Sequence, residues 1–432
     1  RSCLDTVGLH TKKGLFMHII VVGAGIVGVC SAWYLRQAGH QVTVVEALDE
    51  VANDTSFANA GMLTPGYASP WAAPGVVKQS LKMLRAPAKP LVIKPDGSLE
   101  QIKWLWQMYG FCNAAQFKHN RIHMHQLAKT TLHLLHELNQ ALSLDYHGLQ
   151  AGTLEVFRAP ADWQQCQNDT DFLHEYGIAH DLLSPQHCQQ FEQGIDAQKF
   201  SGALRLNDDE TGDCRLFAEQ LKQHCQDAGV VFLFQHAVTE LWLEGQTVRG
   251  VKVGEQALAA DHVVLSAGCQ TKILLQTAGI HVPIYPIKGY SMTVPIVDEA
   301  KAPQSTVLDY QYKVAITRMG KHIRVGGIAE ISGWQRDKQP HNLDTLKQVL
   351  NDLFPDCADL DAAELWMGMR PATPDGPPLI GRVPLEGLSV NAGHGTFGWT
   401  LGLGSGKCLS DSLSQPLHEQ QRSPFYPLRY QH

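Results

Sequence analysis

Residues 18–28, HIIVVGAGIVG, constrain this chain more than any other stretch. A short apolar run ends in Gly23. Gly25 and Gly28 follow in G-x-G-x-x-G spacing, and SAWYLRQAGH (31–40) continues with apolar residues at helical intervals. QVTVVE (41–46) is a second apolar run, closed by Glu46. Strand, tight turn, helix, strand and terminal acid in this order predict a dinucleotide-binding unit in which each glycine has its own task. Gly23 makes the turn, Gly25 lets backbone approach a pyrophosphate, and Gly28 lets the helix pack on the strand. Ala24, Ile26 and Val27 complete the loop, whose place at a helix N-terminus favours phosphate. Glu46 is positioned to accept from a ribose hydroxyl. A Gly-rich turn also serves packing alone, but here every neighbouring element is in register. Cleavage of a signal sequence near Ser31 would remove the loop, which argues against that reading.

The chain has 432 residues, with 35 Lys and Arg against 42 Asp and Glu for a net charge of −7. That length usually carries more than one hydrophobic core. Mild acidity without a Lys/Arg-rich run argues against a nucleic acid partner. Charged residues are 18% and apolar ones 44%, which excludes a disordered chain and a coiled coil. The ten Cys form no C-x-x-C pair, disfavouring a zinc ribbon or disulfide scaffold and fitting a reducing compartment. His119 with His123 and His133 with His136 have helical spacing, but no H-E-x-x-H accompanies them, and no metal is expected. No stretch has the roughly 18 apolar, Gly-poor residues of a membrane span.

TPGYASPWAAP (64–74) is too rich in Pro for a helix interior or central strand and is expected to be an ordered loop. Helical spacing over about 99–142 predicts two long helices, and 161–193 reads as short helices. DHVVLSAGCQ (261–270) repeats the strand-to-glycine theme at Ala267 and Gly268. Residues 283–334 alternate apolar and polar between Pro and Gly, as an antiparallel sheet does. LSVNAGHGTFGWTLGLGSGK (388–407) is a strand running into a Gly-rich turn and a small-residue helix. Nucleotide-type elements at both ends and in the middle predict two domains threaded through each other. Residues 1–16 match no element and read as an extension, and the polar tail from about Gln415 is expected to be loose.

Six stretches make the chain recognisable: TSFANAGMLTPGYASPWAAPG (55–75), NDDETGDCRLF (207–217), YPIKGYSMTVP (285–295), RMGKHIRVGGIAE (318–330), MRPATPDGPPLIGR (369–382) and AGHGTFGWTLGLGSG (392–406). From Met17 to about Ser414 the chain resembles the D-amino acid dehydrogenases, bacterial flavoproteins of the glycine oxidase and D-amino acid oxidase type. The resemblance implies an α/β fold, with a Rossmann-like FAD-binding domain (17–75, 200–272 and 366–414) interleaved with an α+β substrate domain (76–199 and 273–365). The latter is built on a mostly antiparallel sheet, and 415–432 form the tail. It implies FAD, held without a covalent bond. Ser56, Asn59, Ala60, Gly61, Val238, Ala267, Gly268, Gly393, His394, Gly395, Thr396, Gly398 and Thr400 then join the glycine loop as FAD contacts. The implied reaction oxidises a D-amino acid to an imino acid, which hydrolyses to a 2-oxo acid and ammonia. Electrons are expected to pass to a quinone or another respiratory acceptor. The enzyme is expected as a peripheral protein on the cytoplasmic side of the inner membrane, or in the cytoplasm.

Such chemistry needs a held carboxylate and an α-hydrogen close to the flavin, so the protein chiefly positions. Arg370 is the choice for a carboxylate clamp, because a planar guanidinium gives two parallel charge-assisted hydrogen bonds. The alternative for Arg370 is an interdomain salt bridge. Tyr310, Tyr312 and Tyr290 lie in the predicted sheet and Tyr67 in the Pro-rich loop, either as aids to the clamp or as core and rim residues. His394 either contacts the flavin edge or caps a helix. Two other readings stay open: an oxygen-using oxidase of glycine, sarcosine or proline type, and a non-catalytic flavin-binding module.

Overall fold

The computed structural model describes residues 16–85 and 90–431. The extension expected over 1–16 therefore lies, apart from Phe16, outside the described residues. Five strands run parallel in the spatial order Leu388–Ala392, His262–Leu265, His18–Val22, Gln41–Val45, Val231–Leu233. Leu379–Arg382 joins antiparallel at the edge beside Leu388–Ala392. Parallel strands covered on both faces need apolar residues at every position, and Ile19 to Val22 and Val263 to Leu265 are all buried. Helix Gly398–Ser412 passes between helices Ile26–Gln37 and Ala114–Leu142. A Cβ at Gly406 would sit 2.8 Å from the Cys30 backbone, and one at Gly404 would sit 2.6 Å from the Leu127 carbonyl. Close approach of three helices thus accounts for the small residues of that segment.

A second, nine-stranded sheet runs Glu364–Ala372, Tyr285–Pro295, His322–Ile331, Val314–Met319, Thr306–Asp309, Thr153–Phe157, Gly202–Leu206, His180–Leu183, with Leu91–Ile93 beside His322–Ile331. It is antiparallel except where Thr306–Asp309 meets Thr153–Phe157 and where Leu91–Ile93 joins. One face packs Met292, Ile316 and Val325 under Leu346, Val349 and Leu350 of helix His341–Leu353. The α/β class with a mostly antiparallel second sheet agrees with the sequence reading. Three details do not. Gly202–Leu206 and Glu364–Ala372 hydrogen-bond into the nine-stranded sheet although their segments were assigned wholly or largely to the nucleotide half. Helix Ala114–Leu142, assigned to the substrate half, buries Met124, Leu127 and Leu135 in the core of the six-stranded sheet. Sheet membership is decided by the partner strand, which lies far away in sequence. The run 161–193 also contains a strand, His180–Leu183, that helical spacing concealed.

The third difference is the tail, which is docked. Tyr426 and Leu428 are buried beside Leu379 and Val383, and the Ile380 N–H donates to the Phe425 carbonyl at 2.7 Å. Arg429 grips both oxygens of buried Asp375, at 2.8 and 2.9 Å, and donates to the Pro377 carbonyl. The tail so fixes residues 373–378, which directly follow the strand carrying Arg370. Arg429→Met should cost about 3–5 kcal/mol in urea unfolding, because it strands a buried carboxylate. A loss under about 1 kcal/mol, the worth of a surface pair, would show that the tail is not held this way.

Candidate active site

A cavity of about 1640 Å3 opens at the carboxyl ends of the parallel strands and extends across the inner face of the nine-stranded sheet. Pockets for single drug-sized ligands span about 300–1,000 Å3, so this one has room for a dinucleotide with a small substrate beside it. Its first wall is the glycine loop. Gly23 has φ +101, and a Cβ there would meet the Ser266 carbonyl at 2.7 Å, so only glycine makes this turn. A Cβ at Gly28 would lie 1.9 Å from the Gly23 carbonyl, which seats the helix on its own loop. Gly25 meets only the Ser56 hydroxyl, at 3.5 Å, and leaves its backbone open to the cavity. The Ile26 N–H donates to Ser56 Oγ, and the first turn of the helix carries no acid. The Glu46 carboxylate accepts from the Ala24 N–H at 2.6 Å and the Leu48 N–H at 2.9 Å while facing the cavity.

The remaining sequence candidates for the cofactor, in 56–61, Val238, 267–268 and 393–400, all line the same cavity. Ala24 and Gly28 do not reach it and act only through loop geometry. The loop after Thr55 is tied down on three sides. Thr55 donates to the Met369 carbonyl, Arg324 Nη1 to the Asn59 carbonyl, and Thr400 to the Met62 carbonyl. His394 is buried on the wall, with Nε2 lacking a partner among the described residues. Burial pushes its pKa down to about 3, so its imidazole is neutral. A glycine cradle, an acid-free helix N-terminus and an orphaned imidazole nitrogen suit a dinucleotide with a heteroaromatic ring.

Arg370 projects from strand Glu364–Ala372 over Gly289 of the neighbouring strand, where a Cβ would come within 2.2 Å of its Cζ. Its Nη1 donates to the Ile328 carbonyl at 3.1 Å and its Nη2 to the Gly327 carbonyl at 3.4 Å. Those carbonyls are aimed by a β-bulge. The pairing shifts between Gly289 and Tyr290, which leaves Ile328 as the extra residue. Ile328 has φ +53, a left-handed conformation rare for a β-branched residue and strained by about 1–3 kcal/mol. No acid pairs with Arg370 among the described residues, and burial pushes its pKa down to about 10. Of its five N–H donors, two are used in this way and the other three have no acceptor among the described residues, while Arg370 lines the cavity.

The tyrosines separate. Tyr67, Tyr290 and Tyr310 line the cavity, but none is bonded to Arg370; Tyr310 accepts from Gln79 at 3.4 Å. Tyr290 does not serve as a partner of the clamp. Gly289 faces Arg370, so period-two alternation turns Tyr290 to the opposite face, where its hydroxyl donates to Glu330 at 2.8 Å. Tyr312 lies off the cavity under the Arg158 guanidinium, 4.7 Å from its ring centre. Sequence reading missed the bulge, although the paired Gly326 and Gly327 inside a strand are its usual sign. It also missed a group of ionisable residues on the cavity wall, among them Arg121, Glu155, Asp162, Asp169 and Lys313, which carry no motif.

Residues 18–412 match the family of FAD-dependent oxidoreductases termed DAO, and the chain belongs to that family. FAD is its cofactor, and the protein is an oxidoreductase. Within this class it is similar to the D-amino acid dehydrogenase of Neisseria meningitidis serogroup A, at 42% identity over 417 residues. That match covers 96% of this chain and all of the relative. Solved structures share the fold at lower identity. Glycine oxidase of Geobacillus kaustophilus superposes with a TM-score of 0.73 at 20% identity, covering 96% of this chain and 98% of the other. L-Proline dehydrogenase of P. horikoshii gives 0.72 at 17%, with the same coverage.

The floor under the guanidinium yields a direct expectation. Gly289→Ala should keep its FAD and lose about one to two orders of magnitude in kcat/KM, as if the clamp itself had been altered. Unaltered steady-state kinetics in a flavin-replete Gly289→Ala protein would place the guanidinium elsewhere.

Proposed function

We propose that the protein oxidises D-amino acids, taking a hydride from Cα to give an imino acid that hydrolyses to a 2-oxo acid and ammonia. A quinone or related respiratory acceptor then removes the two electrons. The 42% identity to a D-amino acid dehydrogenase over nearly the whole chain supports the reaction class. The observation that carries the substrate assignment is Arg370, a cation on the cavity wall with free donors and no protein acid. A substrate carboxylate supplies the missing countercharge and accepts two parallel bonds from the planar fork. The bulge carbonyls fix the guanidinium plane, so the bound carboxylate fixes Cα. FAD supplies the two-electron acceptor when held by the glycine loop, Glu46, the 56–61 loop and the 393–400 turn. Neutral His394 adds no charge beside it. The three other arginines of the nearby sheet are engaged, Arg205 with Asn207, Arg318 with Glu299 and Arg324 with Asn59 and Thr293.

An exposed helix face supports the acceptor and a peripheral membrane location. Leu99, Ile102, Trp106 and Tyr109 follow one another on one side of helix Leu99–Phe111, and Trp106 is 75% exposed. Lys103 and Lys78 stand exposed and unpaired among the described residues, while Glu100 is neutralised by Lys272. Apolar and aromatic side chains with cations and no free acid suit an anionic lipid surface. Leu105, Met108 and Tyr109 of the same helix line the cavity, giving an apolar acceptor a path from that surface. No helix among the described residues is long and apolar enough to cross a membrane.

Arg370→Lys should keep FAD and lose about one to two orders of magnitude in kcat/KM, since one ammonium cannot replace two parallel bonds. An unchanged rate would move the clamp. Trp106→Ser with Ile102→Ser should abolish flotation with anionic liposomes while soluble dye reduction continues. In stopped flow, the substrate-reduced enzyme should pass electrons to a short-chain quinone much faster than to oxygen. Fast reaction with oxygen and one peroxide per turnover would make the protein an oxidase.

A further inference from the structure

Beyond Arg370 the cavity continues as an arm under the turn at Lys313. Gly327 touches both, since its carbonyl accepts from Arg370 while a Cβ on it would meet the Lys313 carbonyl at 2.8 Å. Glu155, Lys313 and Arg121 face this arm without a side-chain hydrogen bond among the described residues, and Asp162 and Asp169 line the same cavity as opposite charges to Lys313 and Arg121. Glu155, 7% exposed, points inward from the strand next to the Lys313 hairpin. Lys313 lies with its ammonium 3.6 Å above the centre of the Tyr310 ring. Arg121 stacks on Phe172 at 3.6 Å and leaves its buried Nε unpartnered. Neither cation comes within ion-pairing distance of Glu155. Lys313 also holds a left-handed backbone, φ +52, which glycine would adopt at less cost.

Buried charged groups with empty hydrogen-bonding positions call for a partner. Water alone would fill such positions, but they share one cavity with Arg370, and a substrate held there by its carboxylate sends its side chain into the rest of that cavity. An apolar side chain would leave all three stranded. An acidic one would meet Glu155, Asp162 and Asp169, and an amine would meet Lys313 and Arg121. A neutral amide escapes both penalties, because its carbonyl accepts from the cations while its NH2 donates to Glu155. Burial acts in the same direction, raising the pKa of Glu155 and lowering those of Lys313 and Arg121, while the opposite charges oppose this. We infer that this arm binds the substrate's side chain and selects D-amino acids that end in a carboxamide, with Glu155, Lys313 and Arg121 as the specificity residues. The inference rests on the D-amino acid oxidation reading.

The test is steady-state kcat/KM of the FAD-loaded enzyme, with a dye acceptor, for D-glutamine, D-glutamate, D-lysine, D-leucine and D-alanine. Wild type should favour D-glutamine over D-leucine, D-glutamate and D-lysine by at least about tenfold. Glu155→Gln removes the acid that faces both cations and should raise the D-glutamate to D-glutamine ratio about tenfold or more. Lys313→Met, made independently, should raise the D-lysine to D-glutamine ratio. A merely structural role would lower all rates together and move neither ratio in its predicted direction. Wild-type oxidation of D-leucine as efficient as that of D-glutamine, or ratios unchanged in both variants, would overturn the assignment. If D-alanine is still oxidised then, only the arm has failed; if no D-amino acid reduces the enzyme, the oxidation reading has failed with it.

Discussion

The Arg370 guanidinium rests on two backbone carbonyls and no carboxylate. Removing a cation from water costs several kcal/mol unless an opposite charge meets it, and the fold meets half of that need. Carbonyl dipoles from a strained bulge orient the group, and free N–H donors remain for a ligand that brings the negative charge. On the proposed reading the substrate's carboxylate is that ligand, which ties its recognition to the energetics of this site.

Much of the surrounding structure holds this arrangement in place. Gly289 vacates the space the guanidinium fills, and the hydrogen bond from Thr55 to Met369 ties the cofactor loop to the residue before Arg370. On the other side, the docked tail anchors 373–378 through Arg429 and Asp375. Cofactor loop, clamp and tail meet on one strand, so the distance between cofactor and substrate is set by rigid backbone rather than by a mobile side chain. The parallel sheet supplies the other constraint, since its carboxyl ends open where the glycine loop turns.

The nucleotide half was legible because its requirements are steric and local. Gly23 and Gly28 admit no side chain, and a βαβ unit keeps strand, loop and acid within thirty positions of sequence. Arg370 was chosen through its motif, not through any local physical signal, and the structure places it on the cavity wall. The tyrosines were not legible. Strand alternation turned Tyr290 toward Glu330, while Tyr310 and Tyr312 fall not in the sheet but in the turn between Thr306–Asp309 and Val314–Met319, which sets Tyr312 under Arg158. Arg121, Glu155 and Lys313 belong to a helix, a strand and a hairpin that only tertiary packing brings together. The tail misled by composition. Polar residues and prolines suggested looseness, yet Tyr426, Leu428 and one buried ion pair suffice to dock it.

The central claim is that the substrate carboxylate completes the charge of Arg370. Rapid anaerobic reduction of the FAD-loaded wild type by D-alanine and by D-alaninamide, which keeps the amine and Cα but lacks the negative charge, tests it most directly. The account predicts that D-alanine reduces the flavin at least about a hundredfold more efficiently, and that Arg370→Met narrows this gap to within about tenfold by slowing D-alanine alone. Equal reduction by acid and amide in the wild type, or a gap that persists in Arg370→Met, would contradict it.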